Sequence, residues 1–222
     1  MKRLNVNLAI ALITACSILV SAVAYAEDET TRYKVTITNL TRGQILSPPV
    51  VISHSSKYHL FTAGSPATPG LEDLAEDANT GPLTDYLKTL PSVFDYEVAA
   101  DAILPGSSAT VRVNTKKGFR LISALAMLVT TNDAFMAAQG VQTSRWRKVV
   151  VEADAYDAGS EVNSELCEFI PGPPCGNGSV RDTEGAEGYV YIHSGIHGIG
   201  DLEPGEFDWR NPVATITVRR VK

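Results

Sequence analysis

The chain has 222 residues, a formal charge of −6 and 44% hydrophobic residues. That is the length of one ordinary domain with enough apolar content for a core, which excludes a largely disordered polymer. Nineteen Lys and Arg against 25 Asp and Glu, with the cations scattered along the sequence, lack the clustered basic pattern of nucleic-acid binders, so no nucleic-acid partner is expected.

In chain order, Lys2 and Arg3 precede an apolar run from Leu8 to Val23, and Ala24-Tyr25-Ala26 has the small-x-small form of a cleavage site. This predicts a signal peptide over residues 1–26, cleaved after Ala26, and a periplasmic or secreted domain over 27–222. An uncleaved anchor is the first alternative, but the run is shorter than the ~20 residues a span needs. A lipoprotein signal at Cys16 is the second, but the apolar run continues past that residue. Loss of Lys2 and Arg3 takes the charge from −6 to −8.

Strand patterns dominate the rest. Arg32 to Leu40 alternates, with Tyr33, Val35 and Ile37 on one side and Lys34, Thr36 and Thr38 on the other. Short strands are predicted at Val50–Ser53, Phe94–Val98 and Ala109–Asn114, and a central apolar strand at Phe119–Val129. Lys148–Ala153, Gly188–His193 and Pro212–Arg220 complete about eight by this pattern. Leu71–Ala78 and Pro82–Leu90 read as helices. In the second, Leu83, Tyr86, Leu87 and Leu90 share one face and Pro82 suits the first turn. Thr131–Gln139 is predicted as a short helix capped by Thr131 or Asn132. The spacing implies an all-β class, an antiparallel β-sandwich with short helical insertions. Cys167 and Cys175, an even pair in an oxidising compartment, predict a local disulfide closing a Pro/Gly-rich loop.

Two loops after predicted strands carry acids beside small residues: Thr130-Thr-Asn-Asp-Ala-Phe135 and Tyr156-Asp-Ala-Gly-Ser-Glu161. Calcium takes six to eight oxygen ligands, and converging loops at one end of a sandwich can supply them. The alternative is that Asp133 caps a helix and Asp157 makes an Asx-turn before Gly159. A competing set is His193, His197 and Asp201, whose spacing superficially matches a zinc-dependent hydrolase. Gly195, Gly198 and Gly200 break the helix that such a motif needs, leaving a Gly-rich turn as the alternative. Gly-x-Ser-x-Gly and phosphate-binding glycine motifs do not occur, so no catalytic residue is assigned and a non-enzyme is expected. Trp209 is expected to be buried at the start of the last strand.

Tyr33-Lys-Val-Thr-Ile-Thr-Asn-Leu-Thr-Arg-Gly-Gln44, Thr131-Asn-Asp-Ala-Phe135, Tyr156-Asp-Ala-Gly-Ser-Glu161 and Asp208-Trp-Arg-Asn-Pro212 together resemble the spondin N-terminal domain family in its bacterial secreted form. The resemblance implies a sandwich similar to calcium-dependent lipid-binding domains of C-two type, with one calcium held by Asp133, Asp157 and Glu161. Asn132 stands where the animal members have Pro, Ala134-Phe135 where an aromatic directly follows the acid, and Glu161 where they have Asp. Their disulfides have no match in Cys167 and Cys175. The resemblance further implies a binding or adhesion role, with an extracellular or envelope ligand and a membrane surface bridged by calcium as candidate partners.

Overall fold

The computed structural model describes residues 30–221, so the predicted signal segment and its cleavage site lie outside the described residues. In chain order the elements are β1 (Thr31–Asn39), β2 (Val50–His54), α1 (Pro69–Asp77), α2 (Gly81–Thr89), β3 (Val93–Val98), β4 (Ser108–Thr115), β5 (Leu121–Met127), β6 (Ala134–Gln142), β7 (Val149–Asp157), β8 (Tyr191–Ile192), α3 (Pro204–Phe207) and β9 (Ala214–Arg220). All named strand pairs are antiparallel. The order is β3-β2-β5-β6-β7-β9-β1-β4, with β8 added to β7. The all-β antiparallel expectation therefore holds.

One sheet serves both halves of the sandwich because β7 divides its length between them. Val149–Ala153 pairs with β9, while Asp154–Asp157 pairs with β6. The outer strands nearly close the sheet. Asp95 on β3 accepts from the Asn114 main-chain N–H (2.7 Å) and Nδ2 (2.9 Å), and Ser53 Oγ donates to the Asn114 carbonyl (2.6 Å). Between the halves lies the main core, with Val35, Ile37, Val111, Ile216 and Val218 facing Val51, Ile122, Ala126, Met136 and Ala138. A second apolar cluster covers the far face of β2, β5 and β6, where Leu71 and Leu74 of α1 and Leu83 and Leu87 of α2 pack on Ile52, Leu125 and Phe135.

This second layer explains the main departure from the sequence pattern. Thr131–Gln139 is not a helix: Ala134–Gln142 is a strand, and Ala134 to Ala138 are all buried. Covered on both faces, it shows no alternation, and its Ala-rich composition imitates a helix. The cap-like bond of Thr131 is real but closes a turn. Its Oγ1 donates to the Leu128 carbonyl (2.6 Å) and accepts from the Ala134 N–H (3.1 Å). β7 runs to Asp157, past the predicted end at Ala153, and the predicted Gly188–His193 strand contracts to Tyr191–Ile192. Both predicted helices form, each with Pro in its first turn. On α2, Leu83 and Leu87 are buried, whereas Tyr86 is 48% exposed. Cys167 and Cys175 form the expected disulfide.

Candidate metal centre

The register of β6 on β7 sets Ala134 opposite Asp157, which brings Asp133 and Asp157 together at one end of the sandwich. Both are fully buried. Asp133 Oδ2 accepts the main-chain N–H groups of Ser160 (2.8 Å) and Glu161 (3.0 Å) and the Ser160 hydroxyl (3.2 Å). Its Oδ1 is buried with no hydrogen-bond partner. Asp157 Oδ1 accepts the Gly159 N–H at 2.7 Å, so the expected Asx-turn is present, and its Oδ2 accepts from Asn163 Nδ2. Gly159 fits that turn for a steric reason. Its φ is +69°, and a Cβ there would lie 2.3 Å from the Tyr189 carbonyl oxygen.

Glu161 is also buried, but its carboxylate turns toward α1. Oε1 accepts the Asp182 N–H at 2.8 Å. Nearby, Arg181 pairs with Glu76 (2.6 Å), Asp73 (2.8 Å) and Asp77 (3.2 Å) of α1. Among the described residues, no three His, Cys, Asp or Glu side chains close on a common ion position. The Asp133 side chain thus holds the main chain of Ser160 and Glu161, while the Glu161 carboxylate is engaged elsewhere.

The electrostatics follow from burial. Desolvation, then the neighbouring Asp157 charge, hold the Asp133 carboxyl well above the usual carboxylate range. Burial pushes Asp157 up to about 6, against the hydrogen bonds from Asn163, Tyr191 and Gly159. Burial pushes Glu161 up to about 8, opposed by the Asp182 N–H and reinforced by Glu76. These are carboxyls in an environment that disfavours their charge unless a cation is supplied.

The His193–Asp201 stretch is built differently. Burial pushes His193 down to about 4. Its Nε2 donates to Asn163 Oδ1 (2.9 Å) and its Nδ1 accepts the Gly195 N–H (3.0 Å), one consistent neutral tautomer. His197 pairs with Ser194 (2.9 Å), and Asp201 accepts the Cys167 N–H (2.8 Å). The three candidate zinc ligands thus engage separate partners. What organises the turn is Glu165. It accepts the N–H groups of His197 (2.6 Å), Gly198 (2.7 Å) and Ile199 (3.0 Å), a concave row of peptide donors filled by a carboxylate from the chain itself. Sequence reasoning missed Glu165 and Asn163, because nothing local to either residue announces a partner some thirty positions away. Trp209 is buried, as expected, and its ring lies 5.0 Å from that of His193.

The chain is thus an antiparallel all-β domain with two acids buried among the loops at one end. The Spondin_N family model matches residues 40–165, more than half of the chain, and the chain belongs to that family. The matched span contains Asp133, Asp157 and Glu161 and stops short of His193. No curated protein matches the chain. Family and disulfide fit a non-catalytic domain of a secreted protein. Among the described residues no helix is long and apolar enough to cross a membrane.

Proposed function

We propose that the chain is a secreted, non-catalytic binding or attachment module whose end loops are fixed by one calcium ion held by Asp133 and Asp157, with Glu161 at the margin. The observation that carries this reading is Asp133 Oδ1, a buried carboxylate oxygen without a partner beside a second buried carboxylate. An all-oxygen donor set suits a hard cation, and main-chain carbonyls and water complete such a shell. Calcium would supply the positive charge that lets both carboxyls ionise. A weak site suffices outside the cell, where modules bind at about 10⁻⁴–10⁻³ M. Export follows from the signal segment, with cleavage near Ala26. The ligand is an extracellular or envelope component that meets the outer surface of the fixed loops.

Calorimetric titration with calcium tests the site. Asp157→Ala should lower the affinity at least tenfold, about 1.4 kcal/mol. Unchanged affinity would remove Asp157 from the site, and absence of binding to the unsubstituted protein would overturn the reading. Metal analysis of protein equilibrated in millimolar calcium should find calcium and no stoichiometric zinc.

A further inference from the structure

Two short cationic runs far apart in the sequence, Arg145–Lys148 and Arg219–Arg220, are brought together by the fold. The β6–β7 loop lies at the opposite end of its hairpin from Asp133 and Asp157, about 25–30 Å away for strands of this length. There Arg145, Trp146, Arg147 and Lys148 join Arg219 and Arg220 at the end of β9 to line one depression of about 390 Å³. All six residues are exposed. None of the five cations forms an ion pair among the described residues. The charge also continues across the sheet. Arg219 lies directly opposite Lys34, and Lys34 directly opposite Arg112, giving three exposed cations side by side on adjacent strands. Like charges in that register destabilise a sheet, so folding gives no reason for the row.

At the centre of this surface Trp146 is 90% exposed. The Ser144 hydroxyl accepts the N–H groups of Trp146 (3.4 Å) and Arg147 (3.2 Å), which shapes the turn that presents the indole. A bare indole at a loop tip, ringed by unpaired cations, matches the chemistry of a bilayer interface. Phosphates lie at the charged level there, and indoles partition just beneath them. The overall negative charge does not oppose this, because screening over about 8–10 Å leaves the local patch, not the distant acids, to meet the surface.

We propose that this end of the sandwich docks on an anionic phospholipid surface without calcium, with Arg145, Arg147, Lys148, Arg219 and Arg220 against headgroup phosphates and Trp146 inserted between them. The proposal is independent of the metal centre at the other end.

The test is co-sedimentation of the protein in EDTA with phosphatidylcholine vesicles, with and without phosphatidylglycerol. Binding should require phosphatidylglycerol, fall as salt rises, and shift tryptophan emission to the blue; Trp209 is buried, so Trp146 reports. One cation near an anionic surface changes partition about fivefold, so Arg145→Glu with Arg147→Glu should weaken binding by more than about tenfold. Trp146→Ala should abolish the emission shift and weaken binding. All these positions are exposed, and unchanged thermal unfolding checks that the variants remain folded. Four outcomes overturn the proposal: no binding to anionic vesicles, binding that appears only with calcium, equal binding by the variants, or binding to heparin or DNA but not to vesicles.

Discussion

Glu165 and Asp133 are both buried carboxylates in loops beside β6 and β7, and they are accommodated in opposite ways. Glu165 spreads three peptide N–H groups over its two oxygens. Asp133 gathers its donors on Oδ2 and leaves Oδ1 bare. Backbone dipoles neutralise the first without any external group. The second is half neutralised, and its neighbour Asp157 adds negative charge instead of relieving it. A carboxylate completed by peptide donors is a structural pin. One that is left open beside a second acid is the feature on which the proposed calcium site rests.

The largest expected effect is on the pin. Glu165→Ala removes three charge-assisted bonds from the 197–199 turn and should cost about 3–4 kcal/mol, a fall in Tm on the order of 10 °C for a domain of this size. The loss should be the same with calcium and with EDTA. A loss that appears only in calcium would merge the two regions that the comparison separates.

Asp133→Asn should do the reverse. The amide oxygen can still accept the Ser160 and Glu161 N–H groups, and a group whose ionisation burial disfavours is replaced by one that does not ionise. Tm in EDTA near neutral pH should stay level or rise, while the stabilisation by calcium is lost. Thermal unfolding in both media reads this directly.

The pH dependence sharpens the same contrast. Glu161 at about 8 and Asp157 at about 6 lie above the unfolded values near 4. The folded chain therefore holds protons that the unfolded chain has released. Their stabilisation is complete below the unfolded value and is lost as pH rises through 6 and then 8. His193, depressed to about 4, acts in the other direction: stability falls as pH drops from 6.5 toward 4. Above 6.5 only the carboxyls remain. Tm in EDTA should accordingly decline between pH 6.5 and 8, and calcium should flatten that decline. A rising Tm over this window in EDTA would contradict the assignment.

The smallest effect belongs to Ser160→Ala. Its hydroxyl bond to Asp133 is long at 3.2 Å, and the two main-chain donors remain. Urea unfolding should show a loss of about 0.5 kcal/mol.

The fold was readable where one face of a strand meets solvent, as in β1 with its buried Tyr33, Val35 and Ile37. It was misread at β6, where helices cover the second face and erase the alternation. The acid pair was legible as two loops following strands, and the register of β6 on β7 is what joins them. The direction of the Glu161 carboxylate was not legible, because it depends on Asp182 and on the Arg181 contacts with α1. The cation patch was legible only in part: Arg145, Arg147 and Lys148 stand in one run, but what joins that run to Arg219 and to Arg112 is strand order.

The most direct test is thermal unfolding of residues 27–222 in saturating calcium, in EDTA, and in EDTA with excess zinc, with Asp133→Asn in parallel. Calcium at 100 times its Kd should add about 2.7 kcal/mol. That corresponds to a rise of roughly 5–11 °C, which should be absent with zinc and absent in Asp133→Asn. An equal rise in the Asp133→Asn protein, or none in the unsubstituted chain, would contradict the claim that the open carboxylate is a calcium ligand.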